Sequence, residues 1–416
     1  MRAEIITIGD ELLIGQVVNT NASYIGMKLS EIGVKVERIV SVGDVEKEII
    51  EELRYAFNNF DVVILTGGLG PTHDDVTKNA LCKFFNTDLV FNEDVLNQVK
   101  EFLAKRGRTE INEANKSQAF VPRKAKIITN YWGTAPGFLF EEQGKTVIVM
   151  PGVPKEMMGM MENFVINYLS QKAKGLVIKQ RVLKTTGIPE AYLYEKLKDT
   201  VEEIEKFCKI AFLPSALGVK IRITVEAKNQ IEADNLINEA EKKIREKVNK
   251  YIYGIDDEEL EEVVGKLLTE RGLKLAIAES CTGGLIADRI TNVPGSSKYF
   301  ERGIVAYSNE AKIQILGVPE ELIKNHGAVS REVAEAMAKG VREISGADIG
   351  ISTTGIAGPT GATPTKPIGL IWIGYSDKNE TFAKEFRFGD DRLENKQRAA
   401  QMALEILRRK LLGIEI

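Results

Sequence analysis

The stretch that decides the fold is Asp61-Val-Val-Ile-Leu-Thr66-Gly67-Gly68-Leu69-Gly70-Pro71-Thr72. Its first half is an uninterrupted apolar run, which is typical of a strand buried on both faces of a parallel sheet. Its second half places three glycines before a predicted helix, where the backbone can approach a phosphate and free N–H groups can bind it. The loop is not a Walker loop, since no Gly-Lys-Ser/Thr follows. Thr72 and Asp75 also fit a capping box, but capping leaves the three glycines unexplained.

Alternating strands and helices surround this stretch in residues 1–170. The elements follow the order strand, helix, strand, helix, strand, over residues 4–8, 21–32, 34–42, a helix capped by Asp44, and 61–66. This order predicts an open, doubly wound α/β domain. The carboxyl ends of its strands face one crevice, so Asp10, Glu11 and Asp75 are candidates to hold a divalent cation that bridges phosphates.

Two further blocks follow the first domain. Residues 173–252 contain the strand Gly218–Glu226, in which apolar and polar residues alternate, and then a long charged helix, so they predict a small α+β module. Residues 257–416 predict a separate α/β domain, with strands over 273–278, 347–353, 368–375 and 381–388 and a helix capped by Ser330. A basic amphipathic helix closes the chain.

Composition limits the partners and cofactors that the chain can have. Its 416 residues carry 56 Lys+Arg and 60 Asp+Glu, a net charge of −4, which gives no bulk attraction to nucleic acid or to an anionic membrane. No apolar run approaches the roughly 20 residues of a membrane-spanning helix. Three Cys and two His argue against a structural zinc site, so any metal should be a hard cation with oxygen ligands. The opening MRAEIITIGDE does not fit a secretory signal, and we expect a cytoplasmic protein.

Three polar clusters follow predicted strand ends in the last block. Ala278-Glu-Ser-Cys-Thr-Gly-Gly284 places hydroxyl and thiol groups at a helix N-terminus, where backbone N–H groups can stabilise an oxyanion. The second cluster is Tyr307-Ser-Asn-Glu-Ala-Lys312, and the third, Thr353-Thr-Gly-Ile-Ala-Gly-Pro359, is a candidate cradle for phosphate or ribose. Helix capping by Ser280 or Thr282 is the simpler interpretation of the first cluster. Together, the three clusters place more polar residues at strand ends than packing requires.

The motifs of the first block resemble a known fold. Gly9-Asp10-Glu11-Leu12, Asn19-Thr20-Asn21 and Gly67–Thr72 with Asp75 look like the molybdopterin-binding (MoCF/MoeA-like) fold. Thr134-Ala-Pro-Gly137 and Pro151-Gly-Val-Pro154 make the block similar to the N-terminal domain of the competence/damage-inducible CinA family. This resemblance implies metal-dependent hydrolysis of ADP-ribose to AMP and ribose 5-phosphate, with nucleotide binding by Asp10, Glu11, Asn21, Gly67, Gly68, Gly70, Asp74 and Asp75. It also implies a divalent cation of the Mg or Co type on Asp10 and Asp75, accompanied by a monovalent cation.

The other two blocks resemble the remaining parts of the same family. Residues 173–252 resemble its KH-type module, but they lack the Gly-x-x-Gly clamp of RNA-binding KH domains, so no specific nucleic-acid binding is expected. The three polar clusters, with Gly389-Asp-Asp-Arg392 and Arg398, match the C-terminal CinA domain, which is similar to nicotinamide-nucleotide amidase. The resemblance implies hydrolysis of nicotinamide mononucleotide to nicotinic acid mononucleotide and ammonia, without a cofactor, and a homodimer.

The identity of the nucleophile depends on which argument is given more weight. The resemblance points to Ser280, with Lys312 as base and Tyr307 assisting. Reactivity alone favours Cys281, since a helix N-terminus lowers the pKa of a thiol. His326 fits a helix end better than a catalytic site. The predicted substrate-binding residues are Cys281, Thr282, Gly283, Gly284, Asn309, Thr354, Gly355 and Gly358, with Arg392 and Arg398 as partners of the 5′-phosphate.

Two other functions remain open at this point. The first domain shares its Gly-Asp-Glu and Gly-Gly motifs with molybdopterin-binding enzymes, although its attachment to an amidase-like domain argues against that role. A non-enzymatic scaffold in DNA uptake or repair is the other, and the near-neutral charge without a basic stripe weakens it. Thr353-Thr354 stands where some relatives have Ser, and since the hydroxyl is kept, little change is expected.

Overall fold

The computed structural model describes residues 1–72, 76–108, 110–173 and 177–416. Its tertiary contacts divide the chain into two compact units, residues 1–179 with 226–234 and residues 180–225 with 235–416. The predicted active-site residues Asp74 and Asp75 lie outside the described residues.

The first domain alternates strands and helices, as its sequence predicts. Its strands are β1 (Arg2–Ile8), β2 (Lys35–Val42), β3 (Val62–Thr66), β4 (Leu89–Phe91), β5 (Phe120–Pro122), β6 (Lys126–Ile128), β7 (Gly137–Glu142) and β8 (Lys145–Met150). Its helices are α1 (Asp10–Leu13), α2 (Thr20–Glu31), α3 (Glu46–Asn59), α4 (Thr77–Phe84), α5 (Glu93–Ala104), α6 (Glu113–Ser117), α7 (Pro154–Met160) and α8 (Ile166–Lys172), the last two joined by a π-helical turn at Met161–Val165.

The main sheet of this domain has the strand order β2-β1-β3-β8-β7-β6. The first four strands are parallel, while β7 pairs antiparallel with β8 and with β6. Consecutive residues such as Ile5 and Ile6 are both fully buried, because helices cover both faces of the sheet. The predicted doubly wound fold is thereby confirmed.

Two local predictions in this domain are wrong. Asp44 does not cap α3, which has Val45 at its N-cap and no side-chain cap. The helix after the glycine loop begins at Thr77 with Val76 as N-cap, so Thr72 is not the N-cap of this helix. Asp75, the other residue of the predicted capping box, lies outside the described residues.

The middle module is an antiparallel sheet with two long helices. Its elements are β9 (Val177–Thr185), α9 (Glu190–Ile204), β10 (Lys209–Ser215), β11 (Gly218–Ala227), α10 (Gln230–Val248), a 3-10 turn (Asn249–Tyr251) and β12 (Ile252–Ile255). The strand order is β10-β11-β9-β12. The alternation predicted in β11 is present: Val219, Ile221 and Ile223 are buried, while Lys220 is exposed.

The last domain carries its candidate site on a mixed five-stranded sheet. Its strands are β13 (Leu275–Glu279), β14 (Phe300–Val305), β15 (Ile349–Gly355), β16 (Leu370–Ser376) and β17 (Thr381–Arg387). Its helices are α11 (Leu260–Arg271), α12 (Leu285–Thr291), α13 (Asn309–Leu316), α14 (Glu320–His326), α15 (Arg331–Ser345) and α16 (Arg392–Leu412), with a 3-10 turn at Ser296–Lys298.

The strand order of this sheet is β14-β13-β15-β16-β17, and β13 is parallel to both of its neighbours. Ser330 caps α15 as predicted, with its hydroxyl accepting from the Val333 N–H. Among the described residues, no helix is both long and apolar enough to cross a membrane.

A buried charge network lies near the end of α16. Glu405 is fully buried and accepts hydrogen bonds from Arg408 and Arg409. Arg408 also donates to the main-chain carbonyls of Lys250 (2.7 Å) and Ile252 (3.4 Å). Because a buried charge is costly unless it is paired and hydrogen-bonded, this network fixes the end of α16 to the chain that leaves the middle module.

Candidate active site

A serine and a lysine meet at the end of β13, an interior strand of the sheet in the last domain. Ser280 is the first residue after β13, all of which is buried. Ser308 caps α13, and Lys312 lies about one turn into that helix. The Lys312 Nζ lies 3.0 Å from the Ser280 Oγ, which is hydrogen-bond distance. The two residues that the resemblance singles out are therefore in direct contact.

The Lys312 amine is enclosed by protein. The residue is 1% exposed, and its Nζ also donates to the carbonyl oxygens of Ala306 (2.8 Å) and Tyr307 (3.2 Å). No salt bridge to Lys312 is found in the described part of the chain. Burial without a carboxylate partner penalises the ammonium form and lowers the pKa of Lys312. An amine in this setting can give up its proton and then take one from the adjacent hydroxyl.

Cys281 lies in a different environment. Its side chain is 6% exposed and belongs to the hydrophobic core formed with residues such as Ile277 and Leu404. Burial raises the pKa of the Cys281 thiol to about 12, so the thiolate is disfavoured at neutral pH. The expectation that a helix N-terminus would lower this pKa does not hold here.

Glu279 occupies the start of α12. Its buried carboxylate accepts from the N–H groups of Gly284 (2.9 Å), Ile286 (3.2 Å) and Ala287 (2.8 Å). Neither Ser280 nor Thr282 caps the helix, so the capping interpretation of this cluster is wrong.

The loop between β13 and α12 has two further main-chain N–H donors. Within the described residues, no main-chain carbonyl accepts from the amide N–H of Cys281 or Thr282. The Thr282 hydroxyl is 2.7 Å from that of Thr353 on the neighbouring strand β15. Gly283 (φ 62°) and Gly284 (φ 97°) adopt left-handed backbone conformations, which glycine reaches without strain. The amides of Cys281 and Thr282 are thus the candidate donors to an oxyanion.

Arg392 connects several of the predicted residues. Its guanidinium donates to the Tyr307 hydroxyl (3.0 Å) and to the carbonyl of Gly358 (2.6 Å). Tyr307 is 61% exposed, so its ring faces solvent while its main chain contacts Lys312. Asn309 is exposed at the first turn of α13.

Two other predicted binding residues have packing roles. Thr354 is buried, and its hydroxyl donates to the carbonyl of Ala328 (2.7 Å). A Cβ on Gly355 would lie 2.6 Å from the Ile371 side chain, so close strand packing requires glycine there.

Arg398 does not lie with Arg392, Tyr307 and Gly358. It is paired with Glu394 and lines a separate cavity of about 430 Å³ with Phe386, Phe388 and Met402. Arg392 and Arg398 are six residues apart on one helix, which places them about 120° apart around its axis.

Sequence reasoning missed a second cation on the side of Arg392. A Cβ on Gly283 would lie 3.6 Å from the Nζ of Lys396, which puts this amine beside the loop between β13 and α12. Lys396 follows Arg392 by four residues, so the two share a helix face. That spacing at a predicted helix start was the signal available in the sequence.

The first domain has its own cavity, of about 580 Å³, at the carboxyl ends of the parallel strands. The glycine loop lines it, with residues from four other segments: Ile8, Gly9, Glu11, Asp44, Gly67, Gly68, Leu69, Gly70, Pro71, Thr134, Ala135, Pro151, Gly152, Val153 and Glu156. Gly67 (φ 116°) lies so close to β1 that a Cβ would overlap the carbonyl oxygen of Ile8. The loop therefore presents bare backbone to the cavity.

The acids beside this cavity are arranged differently from the prediction. The Asp10 carboxylate accepts from the Asp44 N–H (3.1 Å), and the Asp44 carboxylate accepts from the Asp10 N–H (3.0 Å). Glu11 and Asp44 line the cavity, whereas Asp10 does not. Asn21 donates to the carbonyl of Gly152 (2.7 Å) and lines a smaller neighbouring cavity. Asp44, which the sequence predicts only as a helix cap, is therefore an acid beside this cavity.

Similar proteins cover the whole chain. It is 46% identical over 415 residues to a CinA-like protein of Kosmotoga olearia and 44% identical over 414 residues to one of Dictyoglomus turgidum, with 100% of each chain covered in both comparisons. The chain belongs to the CinA family.

The three parts of this CinA protein each match a described domain. Residues 4–171 match a probable molybdopterin binding domain, residues 180–254 the damage-inducible protein CinA KH domain, and residues 257–411 the CinA C-terminal domain. A crystal structure of a competence/damage inducible protein from Agrobacterium tumefaciens is 41% identical, covering 36% of this chain and 91% of that one, with a TM-score of 0.35. The resemblance seen in the sequence is confirmed, and these domains together indicate an enzyme of hydrolase or a related type.

Proposed function

We propose that the C-terminal domain is an amidase that converts nicotinamide mononucleotide and water to nicotinic acid mononucleotide and ammonia. The observation that carries the proposal is the 3.0 Å contact between the Lys312 Nζ and the Ser280 Oγ, at a site where burial lowers the pKa of the amine. A neutral amine beside a hydroxyl is one of the established ways to activate a serine nucleophile.

The reaction proceeds in two halves. Neutral Lys312 takes the proton of Ser280 while the Oγ attacks the carboxamide carbon, and the amides of Cys281 and Thr282 stabilise the oxyanion. Lys312 then gives its proton to the leaving nitrogen, and ammonia departs from the acyl-serine. Water attacks this ester, Lys312 accepts one of its protons, and the Oγ leaves as the hydroxyl, which releases the carboxylate product.

The charged end of the substrate is assigned to the beginning of α16. Arg392 and Lys396 share a helix face, and Lys396 lies beside Gly283. Both cations can therefore bind the phosphate of a nicotinamide mononucleotide whose carboxamide lies at Ser280. Gly358 presents its carbonyl to Arg392 and holds this guanidinium in place. The proposal thus assigns the 5′-phosphate to Arg392 and Lys396, with Arg398 in a separate cavity.

Ammonia release from nicotinamide mononucleotide tests the amidase activity. We expect activity in the wild-type chain, loss of about 10⁴-fold or more in Ser280→Ala, and near wild-type activity in Cys281→Ala. Inactive wild-type protein, assayed beside an active control amidase, would end the proposal. Loss confined to Cys281→Ala would keep the reaction but assign the nucleophile to the thiol.

We further propose that the N-terminal domain hydrolyses ADP-ribose to AMP and ribose 5-phosphate with a divalent cation. Support comes from the cavity of about 580 Å³, which has the bare backbone of Gly67, Gly68 and Gly70 on one wall, a surface suited to phosphate oxygens.

The cavity acids fit a hard cation by their chemistry. Glu11 and Asp44 line the cavity and Asp10 is hydrogen-bonded to Asp44. In the described part of the chain, no group of three or more His, Cys, Asp or Glu could hold a metal, so the diphosphate would have to supply further oxygen ligands. Bound there, a divalent cation would neutralise charge on the diphosphate.

Product analysis with and without metal tests this second activity. AMP should form from ADP-ribose when Mg²⁺ or Co²⁺ is present and should disappear with a chelator. Ser280→Ala should retain this reaction, because the two activities use separate domains. If no divalent cation supports AMP formation, the N-terminal assignment is wrong.

A further inference from the structure

The cavity of the first domain has a carboxyl group on the side away from Asp10 and Glu11. Glu156 lines this cavity and belongs to α7, which follows β8. Glu11 follows β1, and the glycine loop follows β3, the strand between β1 and β8. Since neighbouring strands are about 4.8 Å apart, β1 and β8 are separated by roughly 10 Å. A diphosphate over the glycine loop would therefore lie between Glu11 and Glu156.

A set of hydrogen bonds holds this carboxyl in place. The Asn130 Nδ2 donates to the Glu156 Oε2 (2.6 Å) and to the carbonyl of Ala135 (2.8 Å). The Asn130 Oδ1 in turn accepts from the N–H groups of Trp132 and Gly133, both at 2.9 Å. Asn130 is itself buried, so all of these bonds fix one orientation of the Glu156 side chain.

Close packing also fixes the position of this carboxyl. A Cβ on Gly133 would overlap the Glu156 carboxyl group, so the carboxyl in this position packs directly against the glycine. Burial raises the pKa of Glu156, with the Asn130 hydrogen bond and the charge of Arg106 acting in the opposite direction. A carboxylate with a raised pKa is a better proton acceptor than an ordinary surface glutamate.

We propose that Glu156 is the general base of the N-terminal domain and takes a proton from the water that attacks the diphosphate. This role rests on the ADP-ribose hydrolysis proposed above. The water oxygen forms a bond to one phosphorus while its proton passes to the Glu156 carboxylate. The bond from that phosphorus to the bridging oxygen breaks, and the bridging oxygen leaves on the other phosphate. Glu156 then releases its proton to solvent.

The position of Glu156 explains why it is a base rather than a further cation ligand. Glu11 and Asp44, which line the cavity, follow β1 and β2, whereas Glu156 comes from the far side of the glycine loop. A nucleophile must approach phosphorus from the side opposite its leaving group. A base across the cavity from Glu11 and Asp44 suits that geometry.

The test compares Glu156→Gln with wild-type protein and with Glu162→Gln. Glutamine can still accept the bond from Asn130 but is not a base, and Glu162 is an exposed acid six residues further on that does not line the cavity. Three quantities are measured: kcat for ADP-ribose hydrolysis against pH, the affinity for ADP-ribose by calorimetry without divalent cation, and the affinity for Co²⁺ by calorimetry.

For Glu156→Gln we expect kcat to fall by about 10²–10⁴-fold, with both affinities within about threefold of wild type. The wild-type rate should decline toward acid pH as the base is protonated, and the residual rate of the variant should lack that decline. Glu162→Gln should match wild type in all three measurements.

The contrary results separate the two proposals. If wild-type protein does not hydrolyse ADP-ribose, the proposed activity itself fails and the role of Glu156 with it. If wild type is active and Glu156→Gln is equally active, only the role of Glu156 is wrong. A loss of activity that matches a loss of Co²⁺ affinity would make Glu156 a cation ligand and overturn its assignment as base.

Discussion

The guanidinium of Arg392 donates a hydrogen bond to the hydroxyl of Tyr307, 3.0 Å away, and so joins the first residue of α16 to the loop before α13. The Tyr307 carbonyl in turn accepts from the Lys312 amine. Tyr307 is thus linked to Arg392 through its side chain and to the buried Lys312 amine through its main chain.

Tyr307→Phe should therefore weaken substrate binding more than the chemical step. Without the hydroxyl, Arg392 loses one of its two fixed partners, and we expect KM for nicotinamide mononucleotide to rise by about 3–10-fold with a smaller change in kcat. Steady-state ammonia release measures both. A large fall in kcat at constant KM would instead place the phenol in the chemical step.

Lys396→Gln and Arg398→Gln distinguish two assignments of the phosphate partner. Lys396 lies beside Gly283, whereas Arg398 lines a separate cavity. Loss of a charge-assisted contact should raise KM about 10-fold in Lys396→Gln, while Arg398→Gln should leave KM nearly unchanged. The reverse outcome would favour the pairing of Arg392 with Arg398 that the sequence suggested.

Ammonia release should increase with pH, because Lys312 must be neutral to act as a base. Burial lowers its pKa from the ordinary 10.5, so the increase should occur below that pH. Lys312→Arg should be inactive at every pH, since a guanidinium keeps its proton. Activity in Lys312→Arg that approached the wild-type rate would show that another group accepts the proton.

Glu4 should make the first domain less stable as pH rises. It is fully buried beside Arg38, and burial raises its pKa from 4.5 to about 7. Between these values the folded chain holds a proton that the unfolded chain has released, so the free energy of unfolding falls as pH rises from about 4.5 to about 7. Glu4→Gln should remove this fall, which is on the order of 1–3 kcal/mol.

The two tryptophans, Trp132 and Trp372, allow this measurement on one domain. In a Trp372→Phe background, the fluorescence of Trp132 follows urea unfolding of the first domain alone. The slope of stability against pH is compared with and without Glu4→Gln. Equal slopes would mean that Glu4 keeps an ordinary pKa in the folded state.

Gly67→Ala should both destabilise the first domain and abolish AMP formation from ADP-ribose. The left-handed backbone and the overlap with the Ile8 carbonyl should together cost about 2–4 kcal/mol. Gly144→Ala is the matched control, because Gly144 also has a positive φ (74°) but no atom lies within 4 Å of its added Cβ. It should cost about 1 kcal/mol and leave hydrolysis intact. Equal effects of the two substitutions would remove the steric argument.

The sequence predicted the parts of the fold that depend on local pattern. The apolar run of β3 reflects burial on both faces of the sheet, and the alternation of β11 reflects burial on one face. Both strands were predicted from these patterns. Strand β14, Phe300-Glu-Arg-Gly-Ile-Val305, was missed because it lies at a sheet edge, where charged residues and a glycine are tolerated.

The parts that failed depend on contacts between distant residues. Asp44 looks like a helix cap in sequence, but it hydrogen-bonds with Asp10, 34 residues earlier. Glu156 is unremarkable among its neighbours and gains its setting from Asn130, 26 residues before it. The pKa of Cys281 could not be read from its position before a helix, because it is raised chiefly by burial in a core that forms only on folding.

The charge network at the end of α16 has a consequence for how this protein can be divided. Arg408 draws two of its acceptors from the carbonyls of Lys250 and Ile252, which precede the matched C-terminal domain at residue 257. In a fragment that starts at residue 257, the Arg408 guanidinium would lose these two acceptors and become exposed to solvent. To obtain a stable C-terminal fragment, the cut should fall before residue 250, so that the carbonyls of Lys250 and Ile252 stay with Arg408.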